Sequence, residues 1–317
     1  MANVQRLADD KQLNIKTITW GDLTWIDIVQ PTESAKKYLA EHYSFHPMDL
    51  EDMLSRRQLS KAVEYAQYLF VVYHIPVFDK VTKVSAKRQW SAFVGDKYLV
   101  TLHPSELQAV DDLLRECESS EDVRKDYFSK GSGYLLYLIM DRAVDSYFPI
   151  LDKILDLMDD VEDSVFDEEK EVAKEIGILR RDVITQRRVM FPERTLLMEL
   201  DNKLKRFCKI DMTLFFNDIK DHMNKICETL DECKEVIEVF KDADYLLSSY
   251  RANRVIRALA VVFAICFPFL VISGLYNMNV NLPGVDQGSP LTFVILLIIM
   301  LIIVGGLLYF FRRKKII

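Results

Sequence analysis

Cysteine is scarce in this sequence and never occurs as a CxxC pair. Five cysteines are scattered through 317 residues. This pattern argues against a disulfide framework and favours reduced thiols in a cytoplasmic body. The opening stretch, MANVQRLADD, has no apolar core, so we expect no cleaved signal peptide.

Clustered positive charge is also missing. The chain has 41 Lys and Arg against 48 Asp and Glu, a net charge of -7, whereas nucleic-acid binding needs clustered basic residues. No GxGxxG or P-loop pattern supports a nucleotide site. No nucleophile–base pair or closed set of metal ligands stands at catalytic spacing, and the histidines are single and scattered. We therefore expect neither an enzyme nor a nucleic-acid-binding protein.

Helix-breaking residues are absent over one long stretch, since neither Pro nor Gly occurs from Lys203 until Pro268. We predict a very long helix that begins after Leu200, preceded by a kink or turn at 191–193. Such a helix leaves apolar surface exposed when alone, which favours oligomerisation. Apolar residues recur along it at alternating four- and three-residue steps, like a coiled-coil seam: Ile226, Leu230, Cys233, Ile237 and Phe240.

Charge is absent from two apolar runs, 258–275 and 291–311. Each has about the 20 residues that a helix needs to cross a bilayer. The segment between them, 276–290, has no Lys or Arg, whereas basic residues precede the first run and follow the second. The positive-inside rule then predicts two spans in the cell membrane with both termini in the cytoplasm.

The first part of the chain reads as alternating strands and helices. Strands are predicted at 17–20, 24–28, 68–77, 89–94 and 98–103, and helices at 32–43, 48–55 and 104–116. This order is typical of a layered α/β domain in which helices cover a sheet.

An acid-rich helix follows, within 144–175. Its many Asp and Glu side chains form either a solvated face or a surface that gathers cations. Its apolar face is predicted from residues at three- and four-residue steps: Ile150, Ile154, Leu157, Val161 and Val165.

Four segments, in order, resemble the CorA family of divalent-cation channels. The tetrapeptide YNMN at 276–279 ends the first apolar run, where the family signature is Tyr-Gly-Met-Asn. The other three are HPMDLEDML at 46–54, RRVMFP at 187–192 and NDIKDH at 217–222. The resemblance covers the whole chain.

The resemblance implies an α+β membrane protein that forms a funnel-shaped homopentamer. Five first spans would line a central pore, and the second spans would face the lipid. The expected regions are a cytoplasmic α/β/α domain (1–133), a helical region with the long stalk helix (134–252), the pore-lining span (253–275), an extracellular loop (276–290), the second span (291–311) and a basic cytoplasmic tail (312–317).

The resemblance further implies a selectivity filter at the outer mouth of the pore. A ring of Asn279 amide oxygens would hold hydrated Mg²⁺ without trapping it. The alternative is that Asn279 merely caps the helix. Asn277 stands where the family has Gly, which leaves the choice of cation open. The expected filter residues are Gly274, Tyr276, Asn277, Met278 and Asn279.

Deeper pore positions are implied in the same way, with ordinary helix packing as the alternative. Polar rings are expected at Asp242, Ser249 and Asn253, and a hydrophobic gate at Ile256, Leu259 and Phe267. Leu270 matches a position that is often polar in the family, so the middle of this pore is expected to be drier.

A regulatory cation site is the last implication. Asp52, with Glu51 beside it, matches family acids that face Asp218 across the subunit boundary, near Asp221 and His222. Carboxylates held close repel unless a cation bridges them, so intracellular Mg²⁺ would clamp the pentamer closed. His222 could instead be a plain surface residue.

Mg²⁺ is therefore the expected cargo and regulator, and the expected partners are further copies of the chain, the lipid bilayer and divalent cations. Two alternatives remain open. One is a Zn²⁺, Co²⁺ or Ni²⁺ transporter on the same scaffold. The other is a membrane-anchored metal sensor or scaffold that conducts nothing.

Overall fold

A computed structural model describes residues 14–55, 58–79, 84–104, 107–165, 172–277 and 290–314. Met278 and Asn279 of the expected filter lie outside these ranges. The chain divides into two compact units, Met1–Lys241 and Asp242–Ile317.

The first unit contains a six-stranded sheet with the order β1-β2-β6-β5-β4-β3. Neighbouring strands are antiparallel except for β2 and β6, which are parallel. The strands predicted at 17–20 and 24–28 form a hairpin, whose turn contains Gly21 with a φ of +57°, a conformation that glycine adopts without steric cost. The strands are β1 (Ile15–Trp20), β2 (Leu23–Val29), β3 (Lys61–Glu64), β4 (Tyr68–Asp79), β5 (Val84–Gly95) and β6 (Tyr98–His103).

One face of the sheet is covered by two short helices, α1 (Glu33–His42) and α2 (Pro47–Asp52). Leu39 and Leu50 from these helices join Phe70 and Phe93 of the sheet in a buried cluster. Phe45, between the helices, stacks on Phe93 with 4.1 Å between ring centroids. Burial of large aromatic rings on this scale is a main source of stability in a domain core.

The opposite face packs against longer helices. They include α5 (Ser132–Asp145) and α7 (Ala173–Leu204), while α3 (Gln108–Ser119) and α4 (Glu121–Ser129) pack beside α5. Buried carboxylates tie α7 to the sheet, since Asp182 accepts from the Ser85 amide at 2.7 Å and Glu193 from the His74 amide at 2.9 Å. The sheet thus lies between two helical layers, the α/β/α arrangement expected from the sequence.

Within the acid-rich segment, Phe148–Val165 forms α6, and 166–171 lie outside the described ranges. Its Asp and Glu side chains are exposed, whereas Ile154, Val161 and Val165 are buried as predicted. The prediction was wrong for Leu157, which is 39% exposed. Leu151 and Met158 are buried instead, because the buried stripe follows the steps 151, 154, 158, 161 and 165 around the helix.

The boundary before the long helix also differs from the prediction. Helix α7 continues through Pro192 to Leu204, followed by a 3₁₀ turn at Lys205–Phe207. The long helix, α8, begins at Thr213 rather than after Leu200 and runs to Tyr276. Asp211 accounts for this start, because its carboxylate accepts from the Thr213 amide at 3.0 Å, as a capping side chain does.

The coiled-coil-like seam of α8 is buried. Ile226, Leu230, Cys233, Ile237 and Phe240 are all at most 4% exposed. Ion pairs between α7 and α8 flank this seam, for example Arg180–Glu238 at 3.0 Å and Lys220–Asp201 at 3.2 Å.

The second unit consists of the remainder of α8 and helix α9 (Pro290–Arg313). Among the residues that the structure describes, one helix, within Thr213–Gly274, is long and apolar enough to cross a membrane by length and composition. Helix α9 coincides with the second apolar run and contains no charge before Arg312.

Candidate functional site

The expected regulatory acids of the α/β/α domain lie at the C-terminal end of α2. Glu51 is exposed, whereas the Asp52 carboxylate is 18% exposed. Asp52 forms an ion pair with Lys61 through Oδ2 and accepts from Gln58 Nε2 through Oδ1 at 2.6 Å. The described contacts of Asp52 do not include Asp218, so a single chain does not bring these two predicted partners together.

On α8, Asp218 and His222 lie one turn apart, with 4.0 Å between Asp218 Oδ1 and His222 Nε2. The other ring nitrogen of His222 lies 3.1 Å from Asp145 Oδ1, at the end of α5. The edge of the imidazole also packs on Phe148, with 5.5 Å between ring centroids. His222, whose side chain is 37% exposed, therefore lies between two carboxylates. Asp221 is exposed at the preceding position of the helix.

A further carboxylate, Asp141, belongs to the same cluster. Burial raises the pKa of Asp141, and the nearby charges of Asp145 and Asp218 raise it further. The Tyr137 hydroxyl donates to Asp141 Oδ1 at 3.3 Å. We call these residues the α5–α8 acidic cluster: Asp141, Asp145, Asp218 and His222.

Sequence reasoning missed Asp141 and Asp145. Their four-residue spacing on α5 was visible, but only the folded chain brings them to Asp218, more than 70 residues later.

The chemistry of the α5–α8 acidic cluster favours a cation. Like charges at short distance repel, and a cation relieves that repulsion. Carboxylate oxygens suit Mg²⁺, and imidazole suits transition metals. Within the described part of one chain, however, no group of three or more His, Cys, Asp or Glu residues is arranged to hold a metal ion. A complete site would therefore need ligands from another copy or from water.

The second candidate region is one face of α8 in the second unit. All six expected pore and gate residues are exposed in the single chain: Asp242, Ser249, Asn253, Ile256, Leu259 and Phe267. Phe263, on the same face, is 69% exposed. This face changes from polar to apolar along the helix. Leu270, expected to make the pore drier, is 68% exposed.

The backbone at the end of α8 shows how Asn277 is accommodated at the position where the family has Gly. The Asn277 amide donates to the Ser273 carbonyl at 3.1 Å and so continues the hydrogen-bond pattern of the helix. Among described residues other than glycine, only Gln30 has a positive φ. Asn277 therefore needs no glycine-like backbone conformation here. Gly274, one turn earlier, has open space where a Cβ would stand.

The chain is similar to known proteins over most of its length. YfjQ of Bacillus subtilis strain 168 is 29% identical over 290 residues, 88% of this chain and 87% of YfjQ. The cobalt/magnesium transport protein CorA of Thermotoga maritima is 28% identical over 261 residues, 81% of this chain and 73% of that protein.

A solved structure agrees with the fold. The complete structure of the CorA magnesium transporter from Methanocaldococcus jannaschii superposes with a TM-score of 0.79 at 22% identity, covering 100% of this chain and 98% of that one. At this identity, the likeness shows the shared fold alone. The model of the family described as CorA-like Mg2+ transporter protein matches residues 20–313, nearly the whole chain, and the protein is therefore a member of the CorA family.

Proposed function

We propose that this protein is a divalent-cation transporter that carries Mg²⁺ across the cell membrane through a pore formed by five copies of α8. Its family consists of transporters rather than enzymes. The observation that carries the proposal is the exposed face of α8. Ser249 and Asn253 give it polar side chains, and Ile256 and Phe267 give it apolar ones. A single chain leaves all of them without cover, and a five-fold axis would turn each into a ring.

The rings would act in sequence on the cation. Asn279, with its neighbours Tyr276 to Met278, would form the outer filter, where neutral amide oxygens hold the hydration shell by hydrogen bonds. Ile256, Leu259 and Phe267 would form the gate, which closes by excluding water. Asp242 would attract cations at the inner end. Both termini would lie in the cytoplasm, in keeping with the basic residues that flank the apolar runs.

Regulation would use the α5–α8 acidic cluster. We propose that cytoplasmic Mg²⁺ binds between Asp218 of one copy and Asp52 of a neighbouring copy, supported by Asp145, Glu51 and His222. The repulsion within the cluster supports this role, because occupancy by a cation stabilises the arrangement that brings the carboxylates together. Loss of Mg²⁺ would shift the population towards the open pore.

The test is cation uptake by the full-length protein in proteoliposomes. We expect Mg²⁺ uptake to fall at least about tenfold in Asn279→Ala, the size of a lost charge-assisted hydrogen-bond contribution. Asn281→Ala, two residues later in the sequence, serves as the matched control and should transport like the wild type. Both variants should keep the oligomeric state of the wild type in size-exclusion chromatography.

Competition in the same assay identifies the cargo. If uptake of Zn²⁺, Co²⁺ or Ni²⁺ exceeds uptake of Mg²⁺, that cation rather than Mg²⁺ is the principal cargo. Full Mg²⁺ transport by an intact Asn279→Ala oligomer would contradict the filter. Absence of uptake of any of these cations by the wild type would favour a sensor or scaffold that conducts nothing.

A further inference from the structure

The carboxylate of Asp52 already has a cation beside it within the single chain. Lys61 Nζ forms an ion pair with Asp52 Oδ2, and Gln58 Nε2 donates to Oδ1. Both carboxylate oxygens therefore accept hydrogen bonds from the same chain. One lone pair of each oxygen is thus occupied, and the Lys61 ammonium places a positive charge where a divalent cation would approach.

The position of Asp52 in the fold makes a nearby positive charge favourable. Asp52 is the last residue of α2, and the last turn of this helix contains no basic residue. The carbonyl end of a helix carries partial negative charge, which disfavours a carboxylate at this point. A positive charge that stabilises Asp52 therefore comes from outside the last turn of α2.

The backbone around Lys61 is fixed to α7 on both sides. Ser60 donates its hydroxyl hydrogen to the buried carboxylate of Glu193, and Lys203 Nζ donates to the Ala62 carbonyl at 3.1 Å. Lys61 itself begins β3 and pairs with Val72 of β4. The base of the side chain is thus held at a fixed point near Asp52.

The ammonium end of Lys61 is less confined. The side chain is 33% exposed, and its Nζ lies 5.6 Å from the centre of the Phe70 ring, a weak contact. Four rotatable carbon segments let a lysine ammonium swing between a carboxylate and water. Lys61 can therefore leave Asp52 without any change in the sheet.

We propose that Lys61 is a built-in competitor for the divalent cation at Asp52 and sets the concentration at which that cation binds. The inference rests on the proposed role of Asp52 as a sensor of cytoplasmic Mg²⁺. A bound divalent ion and the Lys61 ammonium repel each other, so each weakens the binding of the other to the carboxylate. At low Mg²⁺ the lysine holds Asp52, and at high Mg²⁺ the ion takes its place.

Calorimetric titration of Mg²⁺ into the full-length, EDTA-treated protein in detergent tests this competition, with the rise in Tm on adding Mg²⁺ as a second readout. In Lys61→Met the half-saturating Mg²⁺ concentration should fall about two- to fivefold, the usual size of a partly exposed ion pair. Lys61→Arg keeps the charge and should bind close to the wild type. Lys97→Met removes the same charge from the exposed Lys97–Asp22 pair and should change nothing.

The outcomes separate the inference from the proposed function. If Lys61→Met binds Mg²⁺ as tightly as the wild type or more weakly, the competitor role is overturned. Asp52→Asn is the reference: if it leaves Mg²⁺ binding unchanged, the sensor role fails and the inference with it. If Asp52→Asn weakens binding while Lys61→Met has no effect, the inference alone fails. Should Lys61→Met not fold, Lys61→Gln removes the charge while keeping a hydrogen-bond donor, and the same fall is expected.

Discussion

Single residues concentrate negative charge where α5 meets α8. Asp141, Asp145 and Asp218 lie close together around His222, and the raised pKa of Asp141 reflects burial and its acidic neighbours. This repulsion destabilises the cluster, and a bound cation would reduce it. The residues of this cluster are therefore where a change of one charge should alter regulation rather than conduction.

The double variant Asp52→Asn with Asp218→Asn tests that distinction. Internal Mg²⁺ should inhibit uptake less, with the half-inhibitory concentration raised about fivefold or more, as expected from the loss of about 1 kcal/mol of charge interaction. Uptake at low internal Mg²⁺ should stay near the wild-type level. Asp163→Asn, which neutralises an exposed acid of α6, is the control. Unchanged sensitivity to internal Mg²⁺ in the double variant would refute the sensor.

Buried Asp182 governs a separate property, the dependence of stability on pH. Burial raises the pKa of its carboxyl, while hydrogen bonds from Ser85 and Gln186 act in the lowering direction. An acid with a higher pKa in the folded state binds more protons there than in the unfolded state. Its contribution to stability is therefore most favourable at low pH and declines as pH rises through and above its ordinary value.

Asp182→Asn should remove that decline, because an amide is neutral at every pH. We expect the Tm of the variant, measured on the full-length protein between pH 4 and 7, to fall less with rising pH than that of the wild type. Asp163→Asn should follow the wild type. Parallel curves for Asp182→Asn and wild type would show that Asp182 does not titrate differently in the folded state.

At the scale of elements, the buried seam of α8 couples the long helix to the rest of the first unit. Leu230 is fully buried, whereas Leu214, on the same helix, is 82% exposed. Leu230→Ala should destabilise the protein by about 2–5 kcal/mol, because it leaves a cavity in a packed region. Leu214→Ala is the matched control, expected within about 0.5 kcal/mol. Urea unfolding measures both, and equal losses would contradict the assignment of the seam.

The seam and most strands could be predicted because their signals are local. A three- and four-residue periodicity predicted which side chains of α8 are buried, and short runs rich in strand-forming residues predicted the strands. Strand β3 was missed, since Lys61–Glu64 is only four residues long and never fully buried. The start of α8 was missed because tertiary contacts end the preceding helix. One of these is the Lys209 amide, which donates to the Lys130 carbonyl at 2.8 Å.

The residues of the candidate site also divide into those that the sequence indicated and those that only the packing of the chain brings together. The family resemblance named Asp218 and His222 as neighbouring residues, and the structure has them one turn apart on α8. The proximity of Asp145, and the pairing of Lys61 with Asp52, depend on how α5 and β3 pack, which no local pattern encodes. The filter at Asn279 lies outside the described residues and stays a prediction.

At the scale of the whole molecule, the second unit leaves unusually large apolar side chains uncovered. Leu246, Ile256, Phe263, Phe267 and Leu270 are each at least 60% exposed. Contiguous apolar surface of this kind is rare on monomeric soluble proteins and marks contact with lipid or with another chain. Together with the family match, it supports a membrane-embedded oligomer as the working form.

Such an oligomer needs no coupled ion to import Mg²⁺. A membrane potential is worth about 2.3 kcal/mol per charge per 100 mV, so a divalent cation gains about 4.6 kcal/mol at 100 mV, negative inside. Proteoliposomes with that potential, set by a K⁺ gradient, should accumulate free Mg²⁺ on the order of a thousandfold at equilibrium. Accumulation to this level requires that internal Mg²⁺ does not close the pore, so the experiment uses the Asp52→Asn and Asp218→Asn double variant. A pH gradient at zero potential should give no accumulation of Mg²⁺. Proteoliposomes with the Asn279→Ala variant measure the Mg²⁺ that crosses the membrane without passing through the pore. Accumulation that follows the pH gradient instead of the potential would show that the protein is a proton-coupled carrier rather than a channel.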